Sequence, residues 1–129
     1  MTAYGFTKVV ALPFETVKDM AIQALKNEGF GILTQIDVRE KLKEKLGIDF
    51  KRYLILGACS PSHAHKAILA EEDIGLLLPC NVIIYEKDGG TALGIIKPKV
   101  AMQMAKNEAL SGIAAEVEAK LAKVFNSIG

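Results

Sequence analysis

Tryptophan is absent from this chain, aromatic residues make up only 6% of it, and cysteine occurs just twice. Two cysteines cannot build the cross-linked scaffold of a small secreted domain, and Met1-Thr2-Ala3-Tyr4-Gly5-Phe6 carries neither the basic segment nor the apolar run of an export signal. Reduced thiols and a cytoplasmic location are therefore expected. An excess of charge of either sign is also missing: 16 Lys and Arg against 15 Asp and Glu leave a formal net charge of +1. Nucleic-acid binders neutralise phosphates with a basic excess or stripe, so no nucleic-acid partner is expected. Long hydrophobic runs are lacking too. The longest, Ile74 to Tyr85, is interrupted by Pro79 and Asn81 and falls short of the roughly 20 residues that span a bilayer, so no membrane partner is expected either. No repeat, low-complexity tract or Pro/Gly/Ser-rich linker divides the chain, which reads as one domain over residues 1–129.

What is present is apolar and patterned. Half the residues are hydrophobic, enough at this length to bury a core. Tyr4 to Leu12 has the β-branched and aromatic content of a strand, and Pro13 suits the first turn of a helix. Val17, Ala21, Ala24 and Leu25 follow helical spacing until Gly29 stops it. Phe30 to Val38 alternates with period two, the pattern of a strand. Arg39 to Leu46 is a charged helix whose apolar side is Val38, Leu42 and Leu46. The succession Tyr53-Leu54-Ile55-Leu56 predicts a central strand, covered on both faces, over Arg52 to Cys59.

Ser60 then supplies an N-cap and Pro61 a first helical residue, for a helix running to about Glu71. Asn81 to Lys87 and Thr91 to Lys97 are strands joined through Asp88-Gly89, a strong type I′ hairpin signal. From about Asn107 onward, Leu110, Ile113, Ala114, Val117, Leu121, Val124, Phe125 and Ile128 form one apolar helical stripe. Met102 and Met104, just before it, read as gap-filling core. The order strand, helix, four strands with short inserted helices, then helix defines an α+β fold: a mostly antiparallel sheet with helices on one face. The hairpin breaks the strict strand-helix alternation that a doubly wound sheet would need. The other sheet face requires a polar coat or a partner, and a homodimer is expected.

The chemistry-bearing residues gather around the two cysteines. Leu56-Gly57-Ala58-Cys59-Ser60-Pro61 closes a strand and opens a helix, while Leu77-Leu78-Pro79-Cys80-Asn81-Val82 leads into the next strand. If the two strands share a sheet, both thiols lie at neighbouring strand ends. Cys59 beside a helix N-terminus suits a stabilised thiolate, yet each cysteine reads first as a small packing residue. His63 and His65 are two apart on one helix and point to different faces, so only one can join the cysteines, and His63, near the helix start, is the better placed. No CxxC, HxxxH or HExxH spacing is present, and no metal is expected. Ser60 and Ser62 lie outside any Gly-x-Ser-x-Gly elbow. Glu71-Glu72-Asp73 reads as a solvated loop, and Glu86 as a cross-strand partner for a Lys. Gly94 within a strand implies close approach of a neighbour.

Tyr53-Leu54-Ile55-Leu56-Gly57-Ala58-Cys59, Pro61, and Ile74-Gly75-Leu76-Leu77-Leu78-Pro79-Cys80-Asn81-Val82 with Tyr85-Glu86 resemble the core signature of Domain of Unknown Function family 302. Gly29-Phe30-Gly31 and Asp37 extend the similarity toward the N-terminus, and Ser60 stands where the resemblance implies Asn. The resemblance implies a TATA-binding-protein-like topology, with no implication of DNA binding, and cytoplasmic, often dimeric proteins. It supplies no catalytic residues and names no cofactor. The reading that follows is a small-ligand-binding domain with a site formed by Cys59, Pro61, His63, Pro79, Cys80 and Asn81. A thiol-dependent enzyme or redox protein using Cys59 and Cys80, and a structural or protein-interaction dimer, are the competing readings.

Overall fold

A computed structural model describes residues 1–129. Strand β1 (Gly5–Val10) leads into helix α1 (Phe14–Asn27), then β2 (Gly31–Asp37), α2 (Val38–Leu46), β3 (Tyr53–Cys59) and α3 (Pro61–Ala70). A 3-10 turn over Glu72–Leu77 precedes the hairpin β4 (Cys80–Lys87) and β5 (Gly90–Ile96). Helix α4 (Pro98–Met102) and two further 3-10 turns connect to the closing helix α5 (Ser111–Ser127). The fold is α+β: five strands in the order β1-β5-β4-β3-β2, with every neighbouring pair antiparallel. No helix is long and apolar enough to cross a membrane.

Register explains where the core lies. Lys8, Leu93, Ile84 and Leu54 line up across the sheet, and Phe6, Ile95, Val82 and Leu56 form the next rung on the same face. Against these rungs α1 turns Phe14, Val17, Ala21 and Leu25, and α5 turns Val117, Leu121, Val124 and Phe125. The closing turn is tied down by Lys8, whose Nζ donates to the Phe125 carbonyl at 2.6 Å and lies 4.4 Å from that ring's centre. Buried Thr91 donates to the Leu12 carbonyl at 2.7 Å, fixing the entry to α1. A second, smaller cluster of Ala67, Ile74 and Leu110 joins α3, the 3-10 turn and the approach to α5.

Several sequence expectations need adjustment. β3 lies inside the sheet, but a helical layer covers only its Leu54, Leu56 and Ala58 side; Tyr53 and Ile55 look out half-buried from the other face. There Tyr53 stacks on its cross-strand partner Tyr85, with ring centres 5.0 Å apart. The apolar run thus reflects an interior strand with a greasy open face. Met104 is not core: it is 68% exposed, whereas Met102 packs against the smaller cluster. Glu86 bonds the Arg52 backbone N–H at 2.8 Å, as donor and acceptor geometry at the strand end favours, and makes no Lys pair. Glu72 and Asp73 start a 3-10 turn, and the last helix begins at Ser111 after a separate turn capped by Asn107. Pro13 is the N-cap of α1 and so stands one place before the helix. The hairpin turn is as anticipated, with positive φ at both Asp88 and Gly89. Gly94 leaves room for Ile83, whose Cγ1 would lie 2.8 Å from any added Cβ.

β2 is the outer strand on one side, and its ladder is interrupted. Ile32 pairs with Ala58 and Thr34 with Gly57, leaving Leu33 without a partner in a β-bulge. Helix α2, capped by Asp37 and stopped at left-handed Gly47, buries no residue.

Candidate functional site

The seam between the two apolar clusters opens as a narrow cleft. One wall comes from the main core through Phe30, Ala58 and Val117, the other from Ala67, Leu110, Met102 and Ile113. Twelve of its 16 lining residues are hydrophobic, and its free volume is about 40 Å³. Ser60 and His63 are among its lining residues beside the two cysteines, but the surface that faces the free space is almost wholly apolar. A larger groove of about 1080 Å³ between α1 and α2 is an open, mixed-charge depression around Lys18, Asp37, Arg39 and Arg52, far from either cysteine in the fold's layout.

Local sequence positions each group. β3 ends at Cys59, Ser60 takes the extended N-cap conformation, and Pro61 starts α3 without needing an N–H partner. The Ser60 hydroxyl makes no capping bond to backbone; it lies 2.7 Å from His63 Nδ1 instead. The other ring nitrogen, Nε2, sits 2.9 Å from Glu116 Oε2 on α5. A carboxylate only accepts, so Nε2 carries the proton and Nδ1 is free to accept from Ser60. The chain Ser60–His63–Glu116 therefore links the β3–α3 junction to α5, with the His63 side chain only 13% exposed and that of Glu116 62% exposed.

The thiols have a different character. Both are free and half-buried. Burial pushes the Cys80 thiol up to about 11, with a further contribution from neighbouring Cys59, and burial raises Cys59 as well. Neither is the depressed thiolate that a helix N-terminus can produce. In the β3–β4 register Cys80 faces Ala58, not Cys59, so the two thiols are offset by one position across the ladder, yet both line the same cleft.

Of the residues singled out in the sequence, Cys59, His63, Pro79 and Cys80 all line the cleft. Pro61 and Asn81 are exposed and stand outside the lining; Asn81 pairs with Gly57 toward the open face. His65 is exposed, and no three His, Cys, Asp or Glu side chains converge as metal ligands. Sequence reasoning missed Glu116 and the wall residues of α4 and α5. Glu116 lies 53 positions from His63, so no local pattern announces it. The Ser60–His63 pair, three apart at a helix start, was the one available signal.

Sheet order, helical layer and cleft define an α+β protein with a five-stranded antiparallel sheet. Residues 6–128 match the family described as Domain of unknown function DUF302, and the chain belongs to that family. Its fold is similar to the crystal structure of the uncharacterized conserved protein DUF302 from Bacillus stearothermophilus, with 33% sequence identity and a TM-score of 0.91 over 99% of this chain and 100% of that one. It is also 29% identical over 90 residues to an uncharacterized protein of Aquifex aeolicus (strain VF5), covering 69% of this chain and 56% of the relative's length.

Proposed function

We propose that the chain is a small-molecule-binding domain whose ligand places an apolar body in the seam and one hydrogen-bonding end toward Ser60 and His63. The observation that carries this reading is an apolar cleft between the two clusters that has Ser60, His63 and both cysteines among its lining residues. A water needs roughly 10–15 Å³ of such space, so a free volume of about 40 Å³ suits a group of two to four heavy atoms. Pro61 and Asn81 flank this site from the exposed side. The raised thiols weigh against the thiol-enzyme alternative and favour cysteines that serve as soft, neutral walls.

The open sheet face supports a homodimer: Tyr53, Ile55, Ile83 and Tyr85 form an apolar surface with no covering layer. Free thiols support a reducing, cytoplasmic setting. The element order supports the TATA-binding-protein-like description of the topology, and all 129 residues form one domain in this reading.

Acetamide, with one methyl and one polar end, tests the cleft directly. Titration followed by amide NMR is expected to give saturable shifts at Ala64, Ala67 and Val117, and an Ala64→Leu variant that fills the cleft is expected to lose them. Shifts that never saturate, or that survive in the filled variant, would overturn the reading.

A further inference from the structure

We propose that Ser60 is a nucleophilic hydroxyl, activated by His63 with Glu116 as the positioning residue, and that it accepts the acyl group of a small ester held in the cleft. This inference rests on the cleft being a small-molecule site and adds a chemistry to it. Its basis is the hydrogen-bonded chain Ser60 Oγ to His63 Nδ1 at 2.7 Å and His63 Nε2 to Glu116 Oε2 at 2.9 Å. An N-cap serine ordinarily bonds a backbone N–H of the first turn. Ser60 makes no such bond, so its hydroxyl is committed to the imidazole. The carboxylate fixes the tautomer that leaves Nδ1 as a base, the logic by which serine hydrolases prepare their nucleophile.

The remaining requirements are met nearby. Ser62 and His63 begin α3 with N–H groups that find no backbone acceptor, and they supply donors for a developing oxyanion beside Ser60. The apolar walls of Ala64, Ala67 and Val117 exclude water from an acyl methyl, and the free volume of about 40 Å³ limits the acyl group to about acetyl size. In the first step Ser60 Oγ bonds the ester carbonyl carbon while its proton passes to Nδ1. The ester C–O bond then breaks, the imidazolium returns that proton to the departing oxygen, and an alcohol leaves. Water gives a proton to Nδ1 as it attacks the acyl-serine. Collapse returns the proton to Ser60 Oγ and releases the carboxylic acid.

The test uses the intact chain with p-nitrophenyl acetate, following p-nitrophenol release and locating the acetyl group by peptide mass spectrometry. Acetylation is expected on Ser60 and is expected to vanish in Ser60→Asn, a residue that suits the helix N-cap position. His63→Gln is expected to slow acylation about a hundredfold, the scale of a lost general base. For Glu116, ring-nitrogen NMR is expected to show His63 protonated at Nε2 in the native chain and as mixed tautomers in Glu116→Gln, with Glu116→Asp restoring the native signature. Acetyl found only on lysines or cysteines, or a Ser60 rate untouched by His63→Gln, overturns the proposal. If acetamide binds saturably while Ser60 stays unmodified, the chemistry fails and the binding site stands; if acetamide does not bind either, both fail.

Discussion

At the scale of single residues, burial acts on the cleft's two kinds of polar group in opposite ways. It holds the thiols protonated, and it shelters the imidazole of His63 between a hydroxyl and a carboxylate. The Cys80 shift has a consequence for stability. Its folded value of about 11 stands above an ordinary 9.0, so above pH 9 the unfolded chain releases a proton that the native chain still holds. Stability is fully present below about pH 9 and falls as the pH climbs through about 11, by up to roughly 3 kcal/mol from this group. Urea unfolding across that range is expected to show this loss in the native chain. Cys80→Ala is expected to lack it, and an equal alkaline slope in both proteins would refute the assignment.

Among the elements, the meeting of β2, β3 and the Leu-Leu-Pro-Cys segment depends on Gly57. The Thr34 hydroxyl and the Pro79 ring close over it, and an added Cβ would overlap both, reaching 2.8 Å from Pro79 Cγ. Gly57→Ala is therefore expected to cost about 1–3 kcal/mol in chemical unfolding, the usual scale of overpacking. Amide shifts at Thr34 and Cys80 are expected to move most; an unchanged midpoint would contradict the close approach. These elements were legible in the sequence because each has its own period or punctuation. The Asp88-Gly89 turn and the Ser60-Pro61 start appear where local rules put them, and the stripe lies on a helix that begins a few residues later than expected, over Ser111–Ser127. What local rules did not reveal was coverage. An unbroken apolar run in β3 looks the same whether its second face meets a helix or stacks Tyr53 on Tyr85. The cleft was half legible for a related reason. Cys59, His63, Pro79 and Cys80 flank strand ends and could be grouped, whereas Glu116, Met102 and Val117 arrive through tertiary packing of distant helices.

For the molecule as a whole, one face of the sheet is sealed by α1 and α5 and the other is not. Pairing of two such faces would bury Ile55 and the Tyr53–Tyr85 stack. Sedimentation at micromolar concentration is expected to give a dimer for the native chain and a folded monomer for Ile55→Lys. A native chain that sediments as a monomer would remove the paired-sheet arrangement. The interrupted ladder of β2 governs the alternative route to self-association, in which chains join rim to rim. Beyond Ile32 the unpaired Leu33 kinks the strand, so an incoming segment finds no long straight row of donors and acceptors to copy. Fibre growth along that rim meets a built-in stop.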